Sequence, residues 1–225
     1  MRGLSIFLSL LLVLSITPLV FGQSASIERD YTWQYAGHTW RLTHRFSTEH
    51  YHFFRTLPRT LGYEKYADYI NDPRDDDQLR SLIDELERLA ADAGLGAWEK
   101  LNLVTAFVQS IPYAGESCEY PRYPLEMLVE QRGDCEDAAI LAAALLAQMR
   151  HDVVLLAFLA EDHMAIGIRI DPPEPPRNPP YAWNGGTYYY LEPTTAGWEI
   201  GEIPERYSSQ PTILPLVPVV ASRSH

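Results

Sequence analysis

Apolar residues recur at three- and four-residue steps in two stretches of the first half of the chain, which is the period of an amphipathic helix. The first stretch predicts a helix over about 76–93, stopped by Gly94. The second predicts a helix over about 97–110, ended by Pro112. We interpret the aspartates before the first helix as caps of its N-terminus, because they lack the glycine and closing glutamate of a calcium loop.

A third helix is predicted to begin at Cys135, and its pattern differs from the first two. Leucine and alanine occupy all sides of residues 138–147, so no polar face is left for solvent. Asp134 is a good N-cap, and Asp137 three residues later resembles a capping box. We therefore expect a central helix that is buried almost all round.

Short, β-branched and alternating stretches follow this helix and predict antiparallel strands. Two of them, 153–160 and 163–170, are separated by a tight turn, and a third spans 187–192. The proline-rich segment 171–186 predicts an exposed loop beside these strands, which is either a plain connector or a lid.

The N-terminal part is aromatic and β-prone. Residues 31–54 predict a hairpin or paired strands with a turn after Ala36. The tail, 208–225, contains three prolines and is predicted to be extended and loosely attached. Helices followed by an antiparallel sheet indicate an α+β domain. We assign 31–75 to the aromatic segment and 76–207 to the main domain.

Composition and charge narrow the class of protein. The chain has 225 residues, of which 46% are hydrophobic and 21% charged, as expected of a globular protein with one substantial domain. Its formal net charge of -12 argues against nucleic acid or an anionic membrane surface as the main partner.

The first residues predict an export signal. Arg2 precedes an apolar stretch over 4–21, which Thr17 and Pro18 interrupt, and small residues follow. We interpret 1–22 as a signal peptide. The alternative is an uncleaved N-terminal anchor, since about 18 apolar residues just suffice to span a bilayer. Either interpretation places the rest of the chain outside the cytoplasm.

Cys135 is predicted to be the first residue of the third helix. The free N–H groups and partial positive charge of a helix N-terminus favour a thiolate, and the N–H of Cys135 can help to bind an oxyanion. Glu136 and Asp137 work against the thiolate, so a general base is still required.

Two other interpretations of Cys135 remain open. The chain has one other cysteine, Cys118, in a turn-rich loop 17 residues earlier. Outside the cytoplasm the two thiols can form a disulfide that staples this loop to the helix start. Alternatively, Cys135 is an inert buried residue.

His163 begins the second predicted strand and is the candidate base. Its strand carries Met164, Ile166 and Ile168 on one face, so His163 points to the other face with small neighbours. If strands 163–170 and 187–192 pair with matched ends, His163 lies opposite about position 193, with Glu192 adjacent. A shift of one residue in this register would turn Glu192 to the other face. The simpler interpretation makes His163 a strand-edge residue and Glu192 a solvated strand end.

Other motifs have simpler explanations. Arg132-Gly133-Asp134 spells an adhesion tripeptide but serves here as the turn and cap before the third helix. His50 and His52 lack a second pair of ligands to complete a metal site. The sequence has no phosphate-binding or dinucleotide-binding fingerprint, and we expect neither a cofactor nor a metal.

Several of these pieces together resemble the transglutaminase-like superfamily, whose fold is related to papain. They are GDCED before an Ala/Leu helix, Asp162-His163 at a strand start, and YYLEPTTAGWEIGEIP. The likeness is nearest to archaeal and bacterial extracytoplasmic members and covers roughly 97–204, including FVQSIPY and YPRYPLEML ahead of the cysteine. It implies an α+β fold whose central helix begins at the cysteine and packs on an antiparallel sheet.

By this resemblance, Cys135 corresponds to the nucleophile, His163 to the base and Glu192 to the third member of a triad, a place where many members carry aspartate. Papain-like enzymes also hold the oxyanion with an amide side chain upstream of the cysteine. Gln131 is one counterpart, although a spacing of four residues is not the usual one.

The resemblance implies acyl transfer at amide bonds of a protein or peptide, most simply hydrolysis by an exported cysteine peptidase or amidase. Cross-linking, in which an amine replaces water, is the first alternative. A non-catalytic binding or scaffold module on the same fold is a second, of another class. The expected partner is a protein or peptide substrate, and membrane attachment is expected only through residues 4–21.

Overall fold

The fold is taken from a computed structural model, which describes residues 25–216. The predicted signal at 1–22 lies outside the described residues. In chain order the elements are β1 Ser26–Tyr35, β2 His38–Ser47, α1 Thr48–Thr56, a 3-10 turn Tyr63–Lys65, α2 Tyr66–Ile70, α3 Asp76–Asp92, α4 Ala97–Gln109, α5 Pro124–Glu130, α6 Cys135–Gln148, β3 Asp152–Phe158, β4 His163–Arg169, β5 Tyr181–Trp183, β6 Gly186–Leu191 and β7 Thr212–Pro215.

The architecture is α+β, as predicted. Strands β3 to β7 form one antiparallel sheet in the order β5-β6-β4-β3-β7, and β1 and β2 form a separate hairpin. Within residues 25–216, none of the helices has the length and apolar character needed to cross a membrane.

The N-terminal hairpin turns at Ala36 and Gly37, where the sequence placed it, and both residues have positive φ. The prediction that strand continues to residue 54 was wrong. The Ser47 hydroxyl accepts a hydrogen bond from the His50 N–H at 3.3 Å and starts α1, which buries Phe54. A local cap therefore overrides the β-preference of the aromatic residues that follow it.

Helices α3, α4 and α6 lie where the hydrophobic periodicity placed them. Helix α6 is buried at every position from Asp137 to Leu146, and it packs against β3 and β4 as well as α2, α3, α4 and α5. It is the predicted central helix. The sequence analysis did not predict α5, which begins at Pro124 with proline in its first turn.

The start of α3 differs from the prediction in one respect. Asp75 occupies the N-cap position, but its side chain makes no capping hydrogen bond. Its carboxylate is instead buried in the protein, 1% exposed. Asp76 and Asp77 lie in the first turn, where their charge favours the helix dipole.

The two faces of the large sheet pack against different parts of the chain. The face toward the helices carries residues such as Leu155, Met164 and Ile166 and joins the main core. The opposite face forms a second, smaller cluster of buried residues, which are Val154, Leu156, Phe158, Ala165, Tyr188 and Tyr190. His163 pairs with Phe158 in the ladder and lies on this second face, as the alternation predicted.

Two segments predicted to be irregular contribute strands to this sheet. Within the proline-rich segment, Tyr181–Trp183 pairs with β6 as β5. In the tail, Thr212–Pro215 pairs with β3 as β7, and Leu216 is buried. The described part of the tail is extended, as predicted, but it belongs to the sheet and is not loosely attached. Prolines are tolerated here because β7 lies at a sheet edge.

Candidate active site

A capping box sets the start of α6. The Asp134 carboxylate accepts a hydrogen bond from the Asp137 N–H at 3.4 Å, and the Asp137 carboxylate accepts one from the Asp134 N–H at 3.3 Å. Cys135 is therefore the first residue of α6, as predicted from the sequence. Its N–H has no acceptor within the helix and remains available to a ligand.

Arg122 fixes this helix start from the preceding loop. It is 6% exposed, and its backbone N–H and guanidinium Nη1 both donate to the Asp137 carboxylate at 2.6 Å. It also pairs with Glu116 and, at 3.1 Å, with Glu130. The capping box therefore depends on a contact between residues 15 positions apart in the chain.

An acidic group lies beside the helix start. Carboxylate oxygens of Glu116, Asp134 and Asp137 approach within 4.8 Å of one another, which is close enough to hold a cation. The Arg122 guanidinium pairs with two of the three, however, so part of their negative charge is already compensated.

The Cys135 sulfur lies against the turn between β3 and β4. It donates to Glu136 Oε2 at 3.0 Å and makes a longer contact of 3.9 Å with the Asp162 carbonyl oxygen. The backbone N–H of Met164 points to the sulfur from the other side of His163. The thiol is thus held by the two residues that flank His163, although its hydrogen-bond acceptors are Glu136 and Asp162 and not the imidazole.

Burial raises the pKa of the Cys135 thiol, and the charge and hydrogen bond of Glu136 raise it further. The Met164 N–H acts in the opposite direction and is outweighed. The same surroundings affect Asp134, because burial and then the charge of Glu136 raise its pKa to about 7. The resting thiol is therefore protonated, as the acidic neighbours in the sequence indicated.

The His163 ring is buried and bonded to a carboxylate through one nitrogen. Its Nε2 lies 3.1 Å from Glu192 Oε2. Nδ1 is consequently the nitrogen that can take a proton from a thiol. The Glu192 carboxylate fixes which nitrogen carries hydrogen in the neutral ring, since Nε2 must donate to it.

Glu192 is buried, at 1% exposure, and is satisfied by several donors. The Tyr190 hydroxyl donates to Oε2 at 2.6 Å, and the Thr194 N–H donates to Oε1 at 2.9 Å. Burial acts to raise the pKa of Glu192, but His163 and the hydrogen bonds of Thr194 and Tyr190 outweigh it and hold the pKa below its usual value. The carboxylate is ionised where it meets the imidazole.

The strand register beside this pair differs from the predicted one by one residue. Gly167 lies opposite Tyr190 and Ile166 opposite Leu191, whereas matched strand ends placed His163 opposite about position 193. The prediction that a one-residue shift turns Glu192 away was wrong. Tyr190 shares the face of His163, and the observed register brings Glu192 to that same face.

A tyrosine from the C-terminal part covers the imidazole. The rings of Tyr207 and His163 are parallel, with 1° between their planes and 3.8 Å between their centroids. Tyr207 lies in the loop between β6 and β7, 44 positions after His163 in the printed sequence. No local pattern in the sequence pointed to this contact.

Cys135 and His163 line one cavity of about 320 Å³. Its rim includes Leu61 and Leu159, which are 55% and 58% exposed, together with the exposed ring of Tyr63. Acidic side chains also line it, namely Glu119, Glu136 and Asp162. The cavity is open to solvent and combines an apolar rim with negative charge.

Gln131 is not brought to this cavity. It ends α5 with positive φ, and its amide nitrogen donates to the Asp30 carbonyl oxygen of β1 at 2.8 Å. The αL geometry turns the chain into the α6 capping box, which is a structural use of this residue. The N–H of Cys135 remains the candidate oxyanion donor that the sequence indicated.

Both cysteines are free thiols, Cys118 exposed and Cys135 half-buried. The disulfide interpretation therefore does not describe this structure.

Sequence reasoning missed several residues that contact the predicted set. Tyr190 and Thr194 lie two positions before and after Glu192, so strand alternation had a signal for Tyr190. Arg122 and Tyr207 gave no such signal, because they approach from other parts of the chain.

Comparisons with known proteins add a distant likeness of fold. No protein-family profile matches the chain, and no curated protein matches it. Solved structures of Legionella pneumophila LapG do match. The EGTA-treated form is 20% identical over 70% of this chain and 83% of its own, with a TM-score of 0.40. The calcium-bound form is 19% identical over 68% and 82%, with a TM-score of 0.36. At such values the relationship is distant, and the chemistry of the site is inferred from its own residues.

Proposed function

We propose that this protein is an extracytoplasmic cysteine peptidase or amidase that cleaves amide bonds in a protein or peptide. The observation that carries the proposal is the placement of the Cys135 sulfur. It is held between the Asp162 carbonyl and the Met164 N–H, on either side of a His163 whose Nε2 meets Glu192 at 3.1 Å. These are the parts of a nucleophile, base and orienting carboxylate.

In the first half of the reaction, the thiol proton moves from Sγ to His163 Nδ1, and the thiolate attacks the substrate carbonyl carbon. A C–S bond forms while the carbonyl π electrons move to oxygen, which the Cys135 N–H can bind. The imidazolium then gives its proton to the departing amine as the C–N bond breaks. Glu192 stays ionised throughout and stabilises the positive ring.

In the second half, water replaces the amine. It passes a proton to His163 Nδ1 as its oxygen attacks the thioester carbon, and the C–S bond breaks to release a carboxylic acid. The returning thiolate recovers the proton from the imidazolium. Each half therefore uses the imidazole once as base and once as acid.

The shape of the cavity supports hydrolysis and a peptide substrate. Cys135 is itself partly exposed in a cavity whose rim residues Leu61 and Leu159 are more than half exposed, so water can enter and compete with an amine. An open cleft with an apolar rim suits an extended segment of chain, whereas small molecules are usually enclosed. Cross-linking would use the same thioester with an amine as acceptor.

A non-catalytic module is the alternative of another class. The free Cys135 thiol and the buried, hydrogen-bonded His163–Glu192 pair support the enzyme over it. A buried hydrogen-bonded pair of this kind contributes little stability of its own, so its presence in the same cavity as a free thiol is better explained by chemistry. The extracytoplasmic location rests on the sequence pattern of residues 1–22.

The test compares the exported proteins of cells that carry the wild-type chain, Cys135→Ala or Cys118→Ala. Cys118→Ala is a matched control, because it removes the other thiol. Mass spectrometry should find new protein termini with the wild type and Cys118→Ala that are lost with Cys135→Ala. Isopeptide cross-links in place of new termini would support the cross-linking alternative. Identical protein sets in all three strains would contradict enzymatic action.

A further inference from the structure

The Tyr207 ring stacks on the His163 ring, and this contact indicates a role for Tyr207 beside Cys135, His163 and Glu192. Both polar contacts of the imidazole meet at Nε2, from Glu192 at 3.1 Å and from the Tyr190 hydroxyl at 3.5 Å, so the ring is held at a single atom. A ring held at one atom can still tilt about this attachment. The parallel Tyr207 ring, 3.8 Å away, blocks that movement on one side. Phe158 lies beside both rings, 6.3 Å from His163 and 5.9 Å from Tyr207.

Tyr207 is itself held by the turn that carries His163. The Glu161 carboxylate accepts hydrogen bonds from the Ser208 N–H at 3.2 Å, the Ser209 N–H at 2.9 Å and the Ser209 hydroxyl at 2.5 Å. Glu161 is two residues before His163. The loop of Tyr207 and the imidazole are thus fixed to the same short segment, so their relative position is set by a closed ring of contacts.

The Tyr207 hydroxyl is not needed for this contact. It is engaged by Arg206, whose guanidinium also lies 4.7 Å above the Tyr207 ring. The contact with His163 is made by the ring face. The hydroxyl and the ring face of Tyr207 thus have different contacts. A phenylalanine at this position keeps the ring face that stacks on His163 and lacks the hydroxyl.

We propose that Tyr207 is a positioning residue, which holds the His163 ring by stacking so that Nδ1 faces the Cys135 sulfur, and that Glu161 secures it there. The proposal rests on the proposed function, since it assigns a purpose to the orientation of the base. Much of the rate enhancement by a catalytic base depends on its orientation, because a misplaced base transfers protons less efficiently.

The experiment measures the second-order rate constant for alkylation of Cys135 by iodoacetamide in a Cys118→Ala background, which removes the exposed second thiol. The sulfur forms a C–S bond, iodide leaves, and the thiol proton passes to His163 or to buffer. Rates are followed from pH 5 to 9 for the parent, Tyr207→Phe, Tyr207→Leu and His163→Ala.

Other charged or titratable groups face the imidazole, the thiol and the Tyr207 ring. They are Glu192 and Tyr190 at the imidazole, Glu136, Asp134 and Tyr113 at the thiol, and Arg206 behind Tyr207.

We expect Tyr207→Phe to match the parent within about twofold, and Tyr207→Leu to react about tenfold more slowly near pH 7, the scale of one aromatic contact. The slow variant should also move its rise in rate toward higher pH, as His163→Ala does. A merely structural role would leave that profile unchanged. Equal rates for Tyr207→Leu and the parent would overturn the proposal, and so would an equal loss in Tyr207→Phe.

Two further measurements protect the test against misfolding. Glu161→Gln leaves both rings intact and removes only the charge that anchors the loop. We expect its alkylation rate to lie between the rate of Tyr207→Phe and the rate of Tyr207→Leu. In the NMR spectrum, the ring current of residue 207 should shift the His163 Cε1 proton in the parent and in Tyr207→Phe. If the parent and His163→Ala react alike, the proposed function itself fails; if only the Tyr207 comparison fails, this inference alone is lost.

Discussion

At the scale of single residues, the thiol of Cys135 is set between opposing influences. The helix N-terminus and the Met164 N–H favour a thiolate, while burial and Glu136 favour the neutral thiol and prevail in the resting protein. The proposed reaction therefore requires a base that takes the proton as it begins, and His163 lines the same cavity as the thiol. A thiol that is protonated at rest is also less readily oxidised than a thiolate.

The effect of Glu136 can be tested directly. The Glu136 carboxylate accepts a hydrogen bond from the Cys135 thiol at 3.0 Å, and its negative charge disfavours the thiolate. Glu136→Gln removes that charge, so the pKa of Cys135 should fall. We expect alkylation of Cys135 at pH 7 to become about three- to tenfold faster, as a pKa decrease of up to about one unit allows. Glu99→Gln, in the first turn of α4, is the matched control and should leave the rate unchanged. A slower reaction in Glu136→Gln would refute this assignment.

Local rules predicted where Cys135 and His163 lie in their elements. Cys135 at the helix start follows from the capping pattern of Asp134 and Asp137, and the face of His163 follows from strand alternation. Arg122 and Tyr207 follow from no local rule, because each meets the site through contacts between distant parts of the chain. Gln131 was selected by analogy with papain-like enzymes, and the structure uses its αL backbone and its amide elsewhere.

At the scale of elements, the site lies where the N-terminus of α6 meets the N-terminus of β4. Helix α6 is buried along its length, so the position of its first residue is fixed by packing against strands and helices alike. Strand β4 lies in the interior of the sheet between β6 and β3, which fixes His163 in the same way. The proposed nucleophile and base are thus carried on two rigid elements and not on loops.

Long helices were predictable from the sequence, whereas short elements were not. Strong periodicity gave α3, α4 and α6 within a few residues, whereas α1, α5, β5 and β7 were missed. The missed elements are short, and their apolar residues are too few to show a period. β5 and β7 also contain or adjoin prolines, which the sequence analysis took as a bar to regular structure. Edge strands escape that bar because one side of their backbone needs no partner in the sheet.

The register of β4 and β6 could not be read from strand ends alone. The register of two strands is fixed by the faces that they bury. Strand β6 also pairs with β5 through a tight turn at Asn184 and Gly185. This hairpin sets where β6 begins. The resulting one-residue difference places Glu192 beside His163, which is the contact on which the site depends.

The N-terminus of α3 yields a prediction on stability. Asp75 is buried, and its carboxylate oxygens find only partial compensation from the Leu125 N–H. Burial first, and then the charges of Asp72 and Asp76, raise the pKa of Asp75 to about 7. In the unfolded chain its pKa is about 4. The folded protein therefore binds more protons between these values, so the contribution of Asp75 to stability falls as pH rises from about 4 to 7 and stays low above 7.

Asp75→Asn should remove the fall in stability between about pH 4 and 7, because the amide is neutral at every pH. We expect the free energy of unfolding at pH 8 to rise by on the order of 2–4 kcal/mol over the parent, with little difference at pH 4.5. Urea unfolding at both pH values measures it. Asp77→Asn, in the exposed first turn of the same helix, is the control and should show no such pH dependence. A variant less stable than the parent at pH 8 would contradict the assignment.

At the scale of the whole molecule, the large sheet separates two tasks. Its helix-facing side supplies the main core, and its other side carries His163 and Tyr190 beneath the loop of Tyr207. The C-terminal part of the chain therefore does more than close the fold. Through β7 it covers the edge of β3, and through Tyr207 it covers the imidazole.

The central claim is that Cys135 and His163 act as one chemical unit with Glu192. The most direct measurement is the rate of Cys135 alkylation as a function of pH, in Cys118→Ala protein with and without His163→Ala. We predict that loss of the imidazole slows the reaction near pH 7 by about a hundredfold, the scale of general-base assistance, while the melting temperature stays close to that of the parent. Equal rates and equal pH profiles in the two proteins would contradict the claim.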